Sequence, residues 1–302
     1  MSIDSESQFE IDGVKLYAKT WTPTGPVKAK LVFVHGYSEH INRYNDFFPS
    51  LAAQGIEVFG WDQRGWGRSV TKPSERGLTG PTVQVVADVA AFVKDKLAPA
   101  DVPLFVMGHS MGGGEVCALM GDPKYEDLVG QVRGWILEAP FIGFSPDSEP
   151  SSLKVVLGRL AARLLPKQQM KNVIPEEYLS RDVAVVESFK KDPLCHNTGT
   201  LEGLSSLLDR TALLASGTVR VGKHVQSLFL AHGTEDKTCS YDAAFKWVEQ
   251  QTNVEDKVSK SYEGAYHQLH ADLCKDEFTT DVVDFITKRS GSQAAEPIEA
   301  KL

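Results

Sequence analysis

The sequence predicts an α/β fold with a mostly parallel central sheet, helices on both faces and an inserted helical cap. Three observations lead there. Short β-rich apolar runs alternate with segments of helical spacing, the pattern of a parallel sheet with crossover helices. The alternation stops after Pro140 and resumes at Val225. A Gly-x-Ser-x-Gly pentapeptide also lies where one strand hands over to a helix.

Taken in order, Val14 to Trp21 alternates in strand fashion. Leu31 to Val34 is an unbroken apolar run of the kind buried parallel strands show, ending at His35-Gly36. Helical spacing from Asp46 to Gln54 breaks at Gly55. Glu57 to Trp61 is a strand stopped by Asp62-Gln63-Arg64-Gly65, and Pro81 precedes a helix over Thr82 to Leu97. Pro103 to Gly108 and Trp135 to Leu137 are further strands. After the interruption come a strand at Val225 to Leu230, a helix near Tyr241 to Gln251, a short strand at Lys257 to Tyr262 and a last helix near Thr279 to Lys288.

The interruption holds helical patches, polar turns and five prolines (Pro146, Pro150, Pro166, Pro175 and Pro193). It is too long for a plain loop. The expected organisation is one core from 1–140 and 225–289, a cap or lid insertion at 141–224, and a flexible tail at 290–302.

Composition narrows the function classes. With 302 residues, 42% apolar and 24% charged, the chain can bury a sizeable core, which excludes a disordered chain or a fibre. No apolar run reaches the roughly 18 residues of a membrane span. A net charge of -8 without a long basic run argues against a nucleic-acid partner. Cys117, Cys195, Cys239 and Cys274 are scattered, which fits free thiols in a reducing compartment. Met1 to Glu6 lacks the basic-then-apolar pattern of a secretion signal, so an intracellular, cytoplasmic setting is expected.

Gly108-His109-Ser110-Met111-Gly112 follows the strand Leu104 to Met107 and opens a helix-like segment. Small neighbours allow the tight strand-to-helix turn that presents a serine hydroxyl at the carboxyl end of a sheet. Such a hydroxyl is nearly inert without a base, and the base needs a carboxylate to orient it. In this architecture the acid and then the histidine follow on loops after later strands. His232-Gly233-Thr234-Glu235-Asp236 offers Asp236, with Glu235 as the alternative. Glu263-Gly264-Ala265-Tyr266-His267 offers His267, while His270 falls where a helix begins and suits packing or capping. His35, His40, His109, His196, His224 and His232 are read as structural, exposed or turned away. His267 and His270 suggest a metal pair by residue type, but no third ligand is suggested, so neither metal nor cofactor is expected. The oxyanion donors are expected to be the backbone N–H of Met111 and of Tyr37, the latter in His35-Gly36-Tyr37-Ser38-Glu39-His40.

Four motifs in this order, His35-Gly36-x-x-Glu39-His40, Asp62-Gln63-Arg64-Gly65-x-Gly67-x-Ser69, Gly108-His109-Ser110-Met111-Gly112-Gly113 and Glu263-Gly264-Ala265-Tyr266-His267-x-Leu269-His270, make the chain resemble a fungal-type monoacylglycerol lipase. The resemblance covers about Phe9 to Lys288. It implies an α/β-hydrolase fold, a Ser110-Asp236-His267 triad, Tyr37 and Met111 amides as the oxyanion hole, and cysteines near the pocket. Cys239 follows Asp236 in Gly-x-x-Asp-x-x-Cys, and Asp192-Pro193-Leu194-Cys195 looks like the family's cap segment. Tyr37 departs from the small residue of mammalian relatives.

The implied activity is hydrolysis of a monoacylglycerol to fatty acid and glycerol. A related carboxylesterase or lysophospholipase would share the catalytic residues, and a non-catalytic binding protein could share the fold. Within the cap, Leu153, Val156, Leu157, Leu160 and Leu164 form a helical stripe flanked by Lys154, Arg159, Arg163 and Lys167. Such a helix can cover a pocket or touch a membrane or lipid droplet. Residues 141–225 hold eleven bases and nine acids, a local charge of +2 that leaves -10 for the rest. Ala300-Lys301-Leu302 differs from a Ser-Lys-Leu peroxisomal address at one small residue.

Overall fold

Alternating apolar runs and amphipathic segments assemble here into a single eight-stranded sheet covered on both faces. The computed structural model describes residues 2–44, 46–98 and 102–291. The strands are β1 (Ser2–Ile11), β2 (Val14–Pro23), β3 (Ala29–Val34), β4 (Ile56–Trp61), β5 (Leu104–His109), β6 (Gly134–Glu138), β9 (Ser227–Gly233) and β10 (Asp256–Tyr262), with β7 (Gln169–Lys171) and β8 (Thr198–Thr200) pairing separately. The helices are α1 (Phe47–Ala53), α2 (Thr82–Leu97), α3 (Met111–Gly121), α4 (Glu126–Gly130), α5 (Ser152–Leu164), α6 (Val183–Lys191), α7 (Leu201–Ala215), α8 (Tyr241–Glu249) and α9 (Lys275–Ser290).

The sheet order is β1-β2-β4-β3-β5-β6-β9-β10. The β1–β2 and β2–β4 pairs are antiparallel, and the remainder are parallel. Every residue of β3, β5, β6 and β9 is buried, which explains why these strands read as continuous apolar runs. Helices α2, α3 and α8 bury Val89, Phe92, Val116 and Trp247 against one face. Helices α1 and α9 bury Phe48, Leu51, Phe278 and Val282 against the other. From β3 the chain turns one way to β4 and then crosses to β5 on the opposite side. Sites in open α/β sheets form at such a reversal, beyond the carboxyl ends of the strands.

Two features differ from the sequence reading. The acidic N-terminal segment, for which the sequence predicts no element, forms β1, ten residues paired with β2. Most of its side chains are exposed, so it carries no hydrophobic period, while Phe9 and Ile11 pack on the core. Between β6 and β9 the chain forms α5, α6 and α7, and it also forms the antiparallel β7–β8 pair, whose three-residue strands are too short to show a pattern. The tripeptide Ala300-Lys301-Leu302 lies outside the described residues.

Candidate active site

The apolar strand β5 delivers Ser110 to the first position before α3, in a conformation few side chains adopt. Its φ is 55° and ψ is -119°. That backbone is strained for a residue with a Cβ and persists only where the surroundings enforce it. They do so through the Ser110 N–H, which donates to Glu138 O at 3.0 Å, and through Ser110 O, which accepts from Phe141 N at 2.8 Å and Gly114 N at 3.1 Å. Gly112 is required for a separate reason. A Cβ there would stand 2.6 Å from the carbonyl oxygen of His35, so only glycine lets the start of α3 lie against the loop after β3.

Ser110, Asp236 and His267 come together across 157 residues of sequence separation. His267 Nε2 lies 2.9 Å from Ser110 Oγ, and His267 Nδ1 lies 2.8 Å from Asp236 Oδ2. With the proton on Nδ1, the ring donates to Asp236 and presents a lone pair to the serine hydroxyl. All three residues are buried. The other acid in the loop, Glu235, is exposed. Asp236 Oδ1 accepts the N–H of Thr238 at 2.7 Å and of Cys239 at 3.0 Å. Burial alone would push this carboxyl up. The charge of His267 and the hydrogen bonds from His232 and His267 more than reverse that, holding it well below the usual carboxylate range.

The loop after β3 closes the site from the other side. A Cβ on Gly36 would meet Ser110 Cβ at 3.2 Å, so this backbone runs directly beside Ser110. Tyr37 and Met111, whose amides flank that gap in sequence, share a small apolar cluster with Trp66. The Tyr37 and Trp66 rings meet edge to face with centroids 4.9 Å apart. The motif after β4 supports the loop. Gln63 N–H donates to His35 Nε2 at 3.0 Å and its side-chain amide donates to His35 O at 2.9 Å. Asp62 accepts the N–H groups of Ile41 and Arg68 at 2.9 and 2.7 Å. Burial lowers His35 to about 4, which keeps it neutral as an acceptor.

Behind Ser110 lies a buried polar cluster that sequence spacing does not announce. Glu39 accepts from Tyr44 Oη at 2.7 Å, pairs with His109 Nδ1 at 3.3 Å and is bonded by the Gln268 side-chain amide. His270 Nδ1 pairs with Glu138 at 2.7 Å. Burial would push His109 down, but the carboxylates of Glu138 and Glu39 outweigh it and raise it to about 9. His267 and His270 therefore bond different carboxylates. Of the other histidines, His40 Nε2 pairs with Asp192 at 2.8 Å, and His196 stacks on Trp66. His232, read from sequence as structural or exposed, is fully buried and reaches Asp236.

The two cysteines singled out by sequence occupy different places. Cys239 Sγ is 4.0 Å from Ser110 Oγ, and burial raises its thiol well above the ordinary value. Cys195 is half-buried beside His40 and Asp192. Leu153, Val156, Leu157 and Leu160 are exposed, at 69%, 52%, 56% and 52%, on the outer side of α5.

Known proteins match this chain throughout. A family model described as Serine aminopeptidase, S33 (Hydrolase_4) matches residues 25–273. A putative monoglyceride lipase of Schizosaccharomyces pombe is 33% identical over 84% of the chain, which spans 66% of that relative, just under two thirds. Monoglyceride lipase of Mus musculus is 31% identical, with 87% of this chain and 82% of the relative covered. Among solved structures, a soluble variant of monoglyceride lipase from Saccharomyces cerevisiae in complex with a substrate analogue superposes with a TM-score of 0.84, at 21% identity, over 96% of this chain and 97% of that one. The shared fold and the extent of the sequence matches place this chain in the monoacylglycerol lipase family of α/β-hydrolases.

Proposed function

We propose that the protein is a serine hydrolase that cleaves the ester bond of monoacylglycerols, giving free fatty acid and glycerol. The observation that carries this reading is the relay from Ser110 Oγ through His267 to Asp236, at 2.9 and 2.8 Å, in a buried site. Ser110 Oγ attacks the ester carbonyl carbon as its proton passes to His267 Nε2. Asp236 stabilises the resulting imidazolium. The N–H groups of Tyr37 and Met111 receive the oxyanion. The tetrahedral intermediate collapses, the C–O bond to glycerol breaks, and the glycerol oxygen takes the proton from His267. Water then gives a proton to His267 and attacks the acyl-enzyme, and collapse of the second intermediate returns that proton to Ser110 as the fatty acid leaves. The relatives named as monoglyceride lipases supply the substrate class.

A hydrolysis panel of mono-, di- and triacylglycerols, lysophospholipids and short p-nitrophenyl esters tests the assignment. Monoacylglycerol should give the highest kcat/KM, with di- and triacylglycerols at least about tenfold lower. A preference for lysophospholipids or short esters would assign the chain to the neighbouring esterase class.

Residues 141–224 form the cap in this reading, with α5 as its lipid-facing element. The apolar stripe is exposed, Leu164 included, and Leu165, Val173 and Val183 of the same insertion are exposed as well. Among the described residues no helix is long and apolar enough to cross a membrane, so contact would be peripheral. Replacing Leu153, Leu157 and Leu160 with Ser should reduce co-flotation with phosphatidylcholine–phosphatidylserine vesicles about tenfold or more, since each leucine loses its burial in the interface. Unchanged flotation would remove α5 from the lipid contact.

A further inference from the structure

We propose that His232 is a positioning residue for the reaction, a second imidazole that holds the Asp236 carboxylate ionised and aligned with His267. The inference rests on the triad reading above and extends it to a residue outside the triad.

Asp236 Oδ2 is shared by two histidines. His267 Nδ1 stands 2.8 Å away and His232 Nε2 stands 3.0 Å away. With the N–H groups of Thr238 and Cys239 on Oδ1, the carboxylate receives four donors, which uses its lone-pair capacity in full. Both side chains of the His232–Asp236 pair are at 0% exposure, so no solvent can replace a lost donor. A buried carboxylate with an empty lone pair is disfavoured, and each donor stabilises its charged form.

The placement of His232 follows from the sheet. It lies near the end of β9, opposite Ser261 of β10, four residues before Asp236. The loop carrying Asp236 is tied to the loop carrying His267 by Thr234 N–H to Tyr262 O and Glu235 N–H to Ala265 O, both 3.1 Å. His232 therefore projects from a rigid strand onto a carboxylate that must meet a histidine from a different loop. Its other nitrogen, Nδ1, is buried with no hydrogen-bond partner among the described residues. An imidazole buried only for packing would gain nothing over phenylalanine here and would bear that desolvation cost. The tautomer follows: the proton sits on Nε2, donating to Asp236, and Nδ1 keeps its lone pair. The lowering of the Asp236 carboxyl by the His232 hydrogen bond agrees with this geometry.

Three measurements test the role. In His232→Phe, which keeps a ring in the space, kcat for monoacylglycerol should fall about ten- to a hundredfold, the usual scale of one hydrogen bond to a charged group, with KM within about twofold. His232→Gln, whose amide N–H can stand where Nε2–H stood, should recover kcat to within about threefold of wild type. In the unmutated protein labelled with ¹⁵N-histidine, His232 should show a protected proton on Nε2 and none on Nδ1. Wild-type kcat in His232→Phe, an equal loss in His232→Gln, or a proton on Nδ1 with none on Nε2 would each overturn the proposal. The third reading stands even if the Phe variant does not fold. Failure of the triad reading looks different, because Asp236→Asn would then keep wild-type kcat.

Discussion

Ser110→Ala is expected to lower kcat by about six orders of magnitude while leaving the fold in place. Loss of a serine nucleophile of this kind removes the covalent route altogether, and what remains is the modest effect of binding and the oxyanion donors. The Oγ makes one hydrogen bond to His267 and a 4.0 Å contact to Cys239 Sγ, so its removal takes away only the outer end of the relay and leaves the His267–Asp236 bond in place. Circular dichroism and thermal melting should match wild type, and a fluorophosphonate probe should no longer label the protein. Full turnover or retained labelling would sink the mechanism. Ser110→Gly should be equally inactive but more stable. With φ at 55° and ψ at -119°, a residue without a Cβ is relieved of strain worth about 1–3 kcal/mol, partly offset by the greater freedom of glycine in the unfolded chain. A melting temperature no higher than that of Ser110→Ala would show that the turn stores no strain.

Asp236→Asn should lower kcat by about four orders of magnitude with KM little changed. An amide in this place has one acceptor oxygen where the carboxylate has two, and four donors converge on it. Either His267 loses its Nδ1–H acceptor and turns to the wrong tautomer, or the Thr238 and Cys239 amides are stranded. The first outcome removes the base, and the second keeps the acceptor for His267 but destabilises the loop. Steady-state kinetics on monoacylglycerol, with melting as control, decide the matter, and a loss below about tenfold would refute the orienting role. The wild-type carboxyl has its folded-state value depressed below the unfolded one. Its bonds therefore stabilise the fold at every pH above the ordinary carboxylate range, and that contribution is lost only as the pH falls through the folded-state value. Mild acidification should leave Asp236 ionised.

The α5 stripe separates what local pattern reveals from what it does not. The spacing of Leu153, Val156, Leu157, Leu160 and Leu164 specifies a helix with one apolar side, and α5 is that helix. Spacing cannot say what that side faces, and here it faces outward. The N-terminal strand is the opposite case. Hydrogen bonding to β2 makes it a strand although its exposed side chains have no period, so only its partner could reveal it. The choice between Glu235 and Asp236 has the same character. Both acids follow β9, and one residue of rotation along the loop sends one to solvent and the other to His267.

By itself, the sequence determined the alternating elements, the interruption after Pro140, the glycine-flanked serine turn, and the order of serine, acid and histidine. These are properties of neighbouring residues, set by side-chain period, by glycine's lack of a Cβ and by chain direction. The sequence favoured Asp236 over Glu235, and the structure brings Asp236 to the histidine; tertiary structure alone decided that His232 joins it and that Gln268 crosses 229 residues of sequence to bond Glu39. These depend on which strand ends lie side by side. Sheet order is a long-range property: β3, β5, β6, β9 and β10 bring their following loops to one edge, and no local period encodes which buried polar atoms will meet there.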